Sequence, residues 1–171
     1  LGTRSLPARR AYSHPEIEAI AIDLQTQLWR NRAAFWDGAV PADPIDLLDP
    51  AIASRLIGYS VSEEAGLGRH RSREGVFEVA GVLDHDARLI KLSQQFPPEI
   101  MRFTAAHELG HAILHPATSG LHRDRPLDDQ VRPADPVEVE ADKFATYFLM
   151  PAKLVRSRFL ELFLTSPFAL D

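Results

Sequence analysis

Apolar positions recur at helical spacing near the start of the chain. Ile17, Ile20, Ala21, Leu24, Leu28 and Phe35 predict a helix from about Glu16 to Trp36, opened by His14-Pro15 and stopped by Gly38 and Pro41. A second, short helix is expected over Pro44 to Leu56, with Asp43 as its cap. Gly58 to Ser62 alternates and predicts a strand, and residues 63–74, rich in Gly, Glu and Arg, read as a loop. Gly75 to Leu83 reads as a strand, Asp84-His85-Asp86 as a turn and Arg88 to Leu92 as the returning strand of a hairpin. Pro97-Pro98 opens the next helix, because proline suits a first turn; Ile100, Phe103, Ala106 and Ile113 carry it to about His115. Pro116 to Pro136 is a polar loop with four prolines. Val137 to Leu149 and Ala152 to Leu164 complete the helices, with Met150-Pro151 between them. The order α-α-β-β-β-α-α-α predicts an α+β fold with a short antiparallel sheet.

The chain length, 171 residues and 19.1 kDa, suits one domain over 1–171. Within it, residues 1–14 are expected to form an N-terminal arm and 116–135 a long loop beside the site, able to act as a lid. Hydrophobic residues at 45% and charged residues at 25% argue against wholesale disorder. A net charge of −5 argues against bulk duplex binding. Cysteine is absent, which removes disulfides, thiolate nucleophiles and Cys-ligated metals, and fits a cytoplasmic location. No apolar run reaches the ~20 residues of a membrane span, and the basic start (Arg4, Arg9, Arg10) has no apolar stretch behind it to make a secretory signal. The opening Leu and the apolar tail, Leu162 to Leu170, lead us to expect a natural protein that continues past Asp171.

One segment carries chemistry. Thr104-Ala-Ala-His107-Glu108-Leu-Gly-His111-Ala-Ile113 holds H-E-x-x-H inside a predicted helix, a pattern expected about 0.02 times by chance at this composition. Residues four apart lie ~40° apart on a helix, so His107 and His111 face one point. Two neutral imidazoles suit Zn²⁺, and Glu108, ~100° round on the flank, can act as general base without being a ligand. The uncharged flanks Ala105, Leu109, Gly110, Ala112 and Ile113 fit a buried zinc helix better than a surface helix with incidental histidines.

A catalytic zinc usually takes three protein ligands. His115 is eight residues past His107 and ~80° off, too far along the helix to share the ion, and reads as a helix-end or supporting residue. The longer H-E-x-x-H-x-x-G-x-x-H pattern is absent, since Leu114 and Ala117 stand at its Gly and third His positions. The next helix offers Glu138, Glu140 and Asp142. Glu138 and Asp142 share a face with the small Ala141 and Ala145, so Glu138 is the expected ligand and Asp142 the acceptor for a ligand His N–H. Glu140 shares its face with Phe144 and Phe148, which suits a core edge, and is the reserve ligand. Without the H-E-x-x-H segment, these acids would read as ordinary charges at a helix N-terminus.

These two segments, Arg102-Phe-Thr-Ala-Ala-His-Glu-Leu-Gly-His-Ala-Ile-Leu-His115 and Glu138-Val-Glu-Ala-Asp-Lys-Phe-Ala-Thr-Tyr-Phe-Leu-Met-Pro151, resemble the ImmA/IrrE family of zinc metallopeptidases. The first is similar to R-F-T-x-A-H-E-L-G-H, the second to E-x-E-A-[ND]-x-F-A-x-x-L-M-P, and the likeness covers roughly 15–160. The resemblance implies a small thermolysin-like core with one zinc held by His107, His111 and Glu138. It implies cleavage of a cognate helix-turn-helix repressor, in stress, mobile-element or phage-defence responses, with single-stranded DNA as a possible activator. It departs from the pattern at Ala105, Asp142 and Phe148, none of which removes a chemical group. The family's C-terminal sensor domains have no counterpart in these residues, which puts a sensor in cis in doubt.

The expected mechanism is hydrolysis of a peptide bond by zinc-activated water, with Glu108 as base. Tyr147, His115, His122 and Arg102 are candidate oxyanion or proton donors, each more readily explained as structural; Arg102 would brace the helix by a salt bridge. The edge of the 75–92 hairpin is expected to accept an extended substrate. Three rivals stand beside this reading. A zinc-containing module could sequester a repressor without cutting it, though an intact Glu108 is unnecessary for that. A deformylase-like hydrolase is disfavoured by the absence of its metal cysteine. A nucleic-acid contact at Arg69-His70-Arg71-Ser72-Arg73, with Arg30 and Arg32, competes with an ordinary solvated loop. Trp29 and Trp36, seven apart, read as core packing; Phe159 and Phe163 on the last helix would cover the core or dock a further domain.

Overall fold

The computed structural model describes residues 10–36, 39–72, 75–116, 121–124 (backbone only) and 135–163. Helix α1, His14–Phe35, starts where the Glu16 carboxylate turns back to the Ser13 N–H and hydroxyl at 2.8 and 2.7 Å. Those bonds from Ser13 hold the Glu16 carboxyl below its ordinary range. The helix buries Ile17, Ala21, Leu24 and Leu28, the stripe its periodicity predicts. Trp36 packs against the core, but Trp29 does not: it is exposed, with the Arg32 guanidinium 4.1 Å from its ring centre. Of the expected arm, residues 1–9 lie outside the described residues, Tyr12 packs on the core and His14 already belongs to α1.

The expected single helix over 44–56 is two pieces, a 3-10 turn Pro44–Leu47 capped by Asp43 and helix α2, Pro50–Leu56. Pro50 offers no N–H to continue the first piece, and Asp49 caps the second through Ala51 N and Ile52 N.

Among the described residues, six strands follow the same local logic. Strand β1 is Ser60–Glu64, β2 Arg69–Ser72, β3 Gly75–Glu78, β4 Gly81–Asp84, β5 Leu89–Ser93 and β6 Leu121–Asp124. The four-stranded sheet runs β1-β5-β4-β6; β4 pairs antiparallel with β5, as expected, and with β6, but β1 runs parallel to β5, so the sheet is mixed. Strands β2 and β3 form a separate ribbon, so the expected loop over 63–74 is partly strand. The expected strand 75–83 is cut at the buried pair Val79-Ala80, where the chain changes partners: Val79 N–H bonds the Gly68 carbonyl and the Ala80 carbonyl takes Ser93 N–H. Strand β6 lies inside the expected loop 116–135 and pairs Gly81 with Asp124; residues 117–120 and 125–134, and with them most of the expected lid, lie outside the described residues. It also occupies the outer edge of β4, so both sides of the β4–β5 part of the expected substrate edge are already paired.

Helix α3, Pro98–Leu114, is the centre of the molecule. Ten of its residues are buried, from Thr104 to Ala112 without a break and then Leu114. A helix buried all round needs cover on every side. The sheet packs on one side through β4 and β5, and helix α4, Pro136–Leu149, on the other, with α1 behind α4. Helix α5, Ala152–Phe163, buries no residue. Among the described residues no helix is long and apolar enough to cross a membrane.

Candidate metal centre

Close contact between α3 and α4 depends on Gly110. A methyl group there would sit 3.1 Å from Phe144 Cδ1 and 3.2 Å from the Cα and carbonyl oxygen of Ala141, and backbone cannot yield as a side-chain tip can. The small pair Gly110–Ala141 thus lets the first turn of α4 reach the histidines of α3. His107 Nε2 and His111 Nε2 are 2.9 Å apart, and Glu138 Oε2 lies 3.3 and 3.5 Å from them. Among the described residues these three form a group able to hold a metal ion.

The donor set fits zinc. Ligand atoms bonded at ~2.0–2.1 Å in a tetrahedron stand about 3.3 Å apart, close to all three distances here. Both imidazoles are buried while the Glu138 side chain is one-third exposed, so the centre opens toward solvent on the α4 side. Glu108 is fully buried on the sheet side of α3. Gly81 of β4 gives it room: a methyl group there would meet Thr104 Cγ2 at 2.5 Å and Glu108 Oε1 at 2.9 Å. A base tucked beside the ligands, against a bare stretch of strand, suits proton transfer next to a metal.

The supports of the two histidines differ. Asp142 Oδ1 lies 2.8 Å from His107 Nδ1, where the sequence places it. His111 Nδ1 lies 3.0 Å from His115 Nδ1, and His115 Nε2 lies 2.9 Å from Glu140 Oε2. Glu140 Oε1 in turn accepts the Tyr12 N–H at 3.0 Å.

Several expectations change accordingly. Glu140, the reserve ligand, is ~200° round α4 from Glu138 and is held by His115 and Tyr12, outside the three-residue group. His115 touches the far nitrogen of His111, so it is placed to support the ligand and not to donate to an oxyanion. Tyr147 is nine residues from Glu138, ~180° round the helix, and lines an apolar groove of about 540 Å³ with Trp29 and Met150. Arg102 donates to the Leu48 carbonyl at 2.8 Å, so it braces α3 by a hydrogen bond to the backbone and not by a salt bridge. His122 stands opposite Leu83 in the β4–β6 register, and its role as a donor lies outside the described side chains. The basic run 69–73 is mostly strand β2; Arg69 pairs with Glu78 at 2.5 Å, which raises the guanidinium pKa, and Arg73 lies outside the described residues.

Three contributors escape a reading of the sequence: Gly81, Gly110 and the Tyr12 N–H. Gly110 sits inside H-E-x-x-H, where a glycine in a buried helix signals a neighbour at close range. The buried role of Glu140 was foreshadowed by its place on the Phe144–Phe148 face, because an acid there requires a partner. No local signal marks Gly81 or Tyr12.

No curated protein matches the chain. A family model, that of the IrrE N-terminal-like domain, matches residues 60–165, more than half of the chain and a span that holds every residue of the three-donor group and its base. The chain belongs to the IrrE N-terminal-like domain family, a peptidase family, and carries a domain of the metallopeptidase type.

Proposed function

We propose that this protein is a zinc-dependent endopeptidase acting on a regulatory protein of the helix-turn-helix repressor type. The observation that carries the metal assignment is the triangle of His107 Nε2, His111 Nε2 and Glu138 Oε2, with sides of 2.9, 3.3 and 3.5 Å. These three would hold one zinc ion per chain, which would supply Lewis acidity for activating a water and polarising a peptide carbonyl. Glu108 takes the proton of the attacking water and returns it to the leaving amine, so the peptide bond is exchanged for a carboxyl and an amine. Asp142 holds the His107 ring by its Nδ1. The substrate class rests on the likeness of segments 102–115 and 138–151 to the ImmA/IrrE pattern, and single-stranded DNA as an activator rests on the same likeness. A cytoplasmic location follows from such a substrate.

The test is a cleavage assay with the repressor encoded nearest the gene, with zinc, with and without single-stranded DNA. The wild type should make one discrete cut and Glu108→Gln none, while both bind one equivalent of zinc. Activity that survives Glu108→Gln, or that persists after chelation, overturns the mechanism. Tight binding of an uncut repressor by zinc-loaded wild type would replace it with sequestration.

A further inference from the structure

With Glu140 ionised and His115 neutral, the hydrogen bonds behind His111 run in one direction. A backbone N–H can only donate, so Tyr12 N–H commits Glu140 Oε1 as acceptor. An ionised carboxylate accepts at both oxygens, so Glu140 Oε2, 2.9 Å from His115 Nε2, takes the proton of that nitrogen. A neutral His115 with its hydrogen on Nε2 has a lone pair on Nδ1. That lone pair, 3.0 Å from His111 Nδ1, accepts the hydrogen there. His111 is then left with its lone pair on Nε2, facing His107 Nε2 and Glu138.

We propose that His115 and Glu140 are positioning residues for the metal: the chain Tyr12–Glu140–His115 fixes the tautomer of His111 so that Nε2 is always the ligand atom. The proposal rests on the reading of His111 as a ligand. Neither residue touches the reacting atoms; both act through His111.

The two ligand supports are unequal, and the inequality supplies the test. The Asp142 side chain is 49% exposed, and only its Oδ1 is committed to His107. An amide at 142 can turn its oxygen to His107 Nδ1 and leave its NH₂ to water. The Glu140 side chain is 5% exposed, and both its oxygens already meet donors. An amide at 140 presents one NH₂, which must face either the Tyr12 N–H or His115. If it faces His115, the links from residue 140 to His111 reverse while Tyr12 N–H still donates to the amide oxygen: His115 donates from Nδ1, and His111 carries its hydrogen on Nε2, where it bonds His107 across the 2.9 Å gap. That reversed chain is fully hydrogen-bonded in the metal-free protein and hostile to zinc.

The experiment compares wild type, Glu140→Gln and Asp142→Asn, with zinc as the probe. Zinc affinity is read by competition with a chromophoric chelator. Glu140→Gln should weaken it about 10–100-fold and Asp142→Asn about threefold or less. The metal-free Tm of Glu140→Gln should stay within about 2 °C of wild type, because the reversed chain satisfies each group. In metal-free samples the side-chain ¹⁵N shifts of His115 should report hydrogen on Nε2 in wild type and on Nδ1 in Glu140→Gln. Equal zinc affinity for wild type and Glu140→Gln overturns the proposal. So does an equal fall of Tm with and without zinc, which is what a purely structural Glu140 would give. A wild type that takes up no zinc overturns the metal centre itself, and the His115 tautomer then still decides whether the chain sets the direction at His111.

Discussion

Two phenylalanine pairs stand at the same four-residue spacing on consecutive helices and meet opposite fates. Phe144 and Phe148 of α4 are fully buried, their rings parallel within 5° and 6.0 Å apart. Phe159 and Phe163 of α5 are 38% and 54% exposed, tilted by 38° and 4.7 Å apart. The residue type and the period are identical, so neither explains the difference. Helix α4 lies between α3 and α1, and the space for it is made by Gly110 and Ala141. Helix α5 buries no residue. An amphipathic pattern names the face that would be covered; the cover itself comes from other parts of the chain.

The sharpest way to break the comparison is to truncate one ring of the buried pair. Phe144→Ala removes a ring with no route for solvent to fill the space, and should cost about 3–5 kcal/mol in chemical denaturation. A loss below about 1 kcal/mol would mean that α4 can collapse onto α3 and that the seat is loose. The second test acts on the seat itself. Gly110→Val places bulk against Phe144 and the Ala141 backbone, and should cost about 1–3 kcal/mol by overpacking. Because Glu138 and Ala141 share the start of α4, this change should also weaken zinc binding, whereas Phe144→Ala at folded conditions should weaken it less. Equal zinc affinity for Gly110→Val and wild type would show that the helix spacing does not set the reach of Glu138.

What could be read beforehand divides along the same line. H-E-x-x-H put His107, His111 and Glu108 on a helix because their roles depend on positions one turn apart, and local periodicity encodes that. Glu138 and Asp142 were legible from one helix face. The α+β class and the central hairpin were legible from alternation and turn residues. What stayed hidden depends on distant pairing. The break at Val79-Ala80 follows from a change of partner between Gly68 and Ser93, and β6 exists by pairing with β4 across 40 residues of sequence. Glu140 looked like either a ligand or a core-edge acid, because its partners are Tyr12, far along the chain, and His115 on another helix. Trp29 was misplaced for the reason α5 is exposed: periodicity carries no record of whether a neighbour arrives.

The smallest expected effect gives the comparison its control. Phe159→Ala and Phe163→Ala each remove an aromatic ring from α5, the same loss of apolar surface in the unfolded chain as at Phe144. With the rings already half in water, stability should change by no more than about 0.5 kcal/mol. The contact between the two rings, one turn apart on the helix, is worth about 0.2–0.5 kcal/mol. Denaturation of the 171-residue chain, followed by circular dichroism, measures this against Phe144→Ala in one experiment. A cost above about 1.5 kcal/mol at Phe159 would show that the ring is covered in solution. The contrast between the two pairs would then reduce to a difference in which surface does the covering. A cost near zero fixes the contrast as one of packing alone, since the chemistry and spacing of the two pairs are the same.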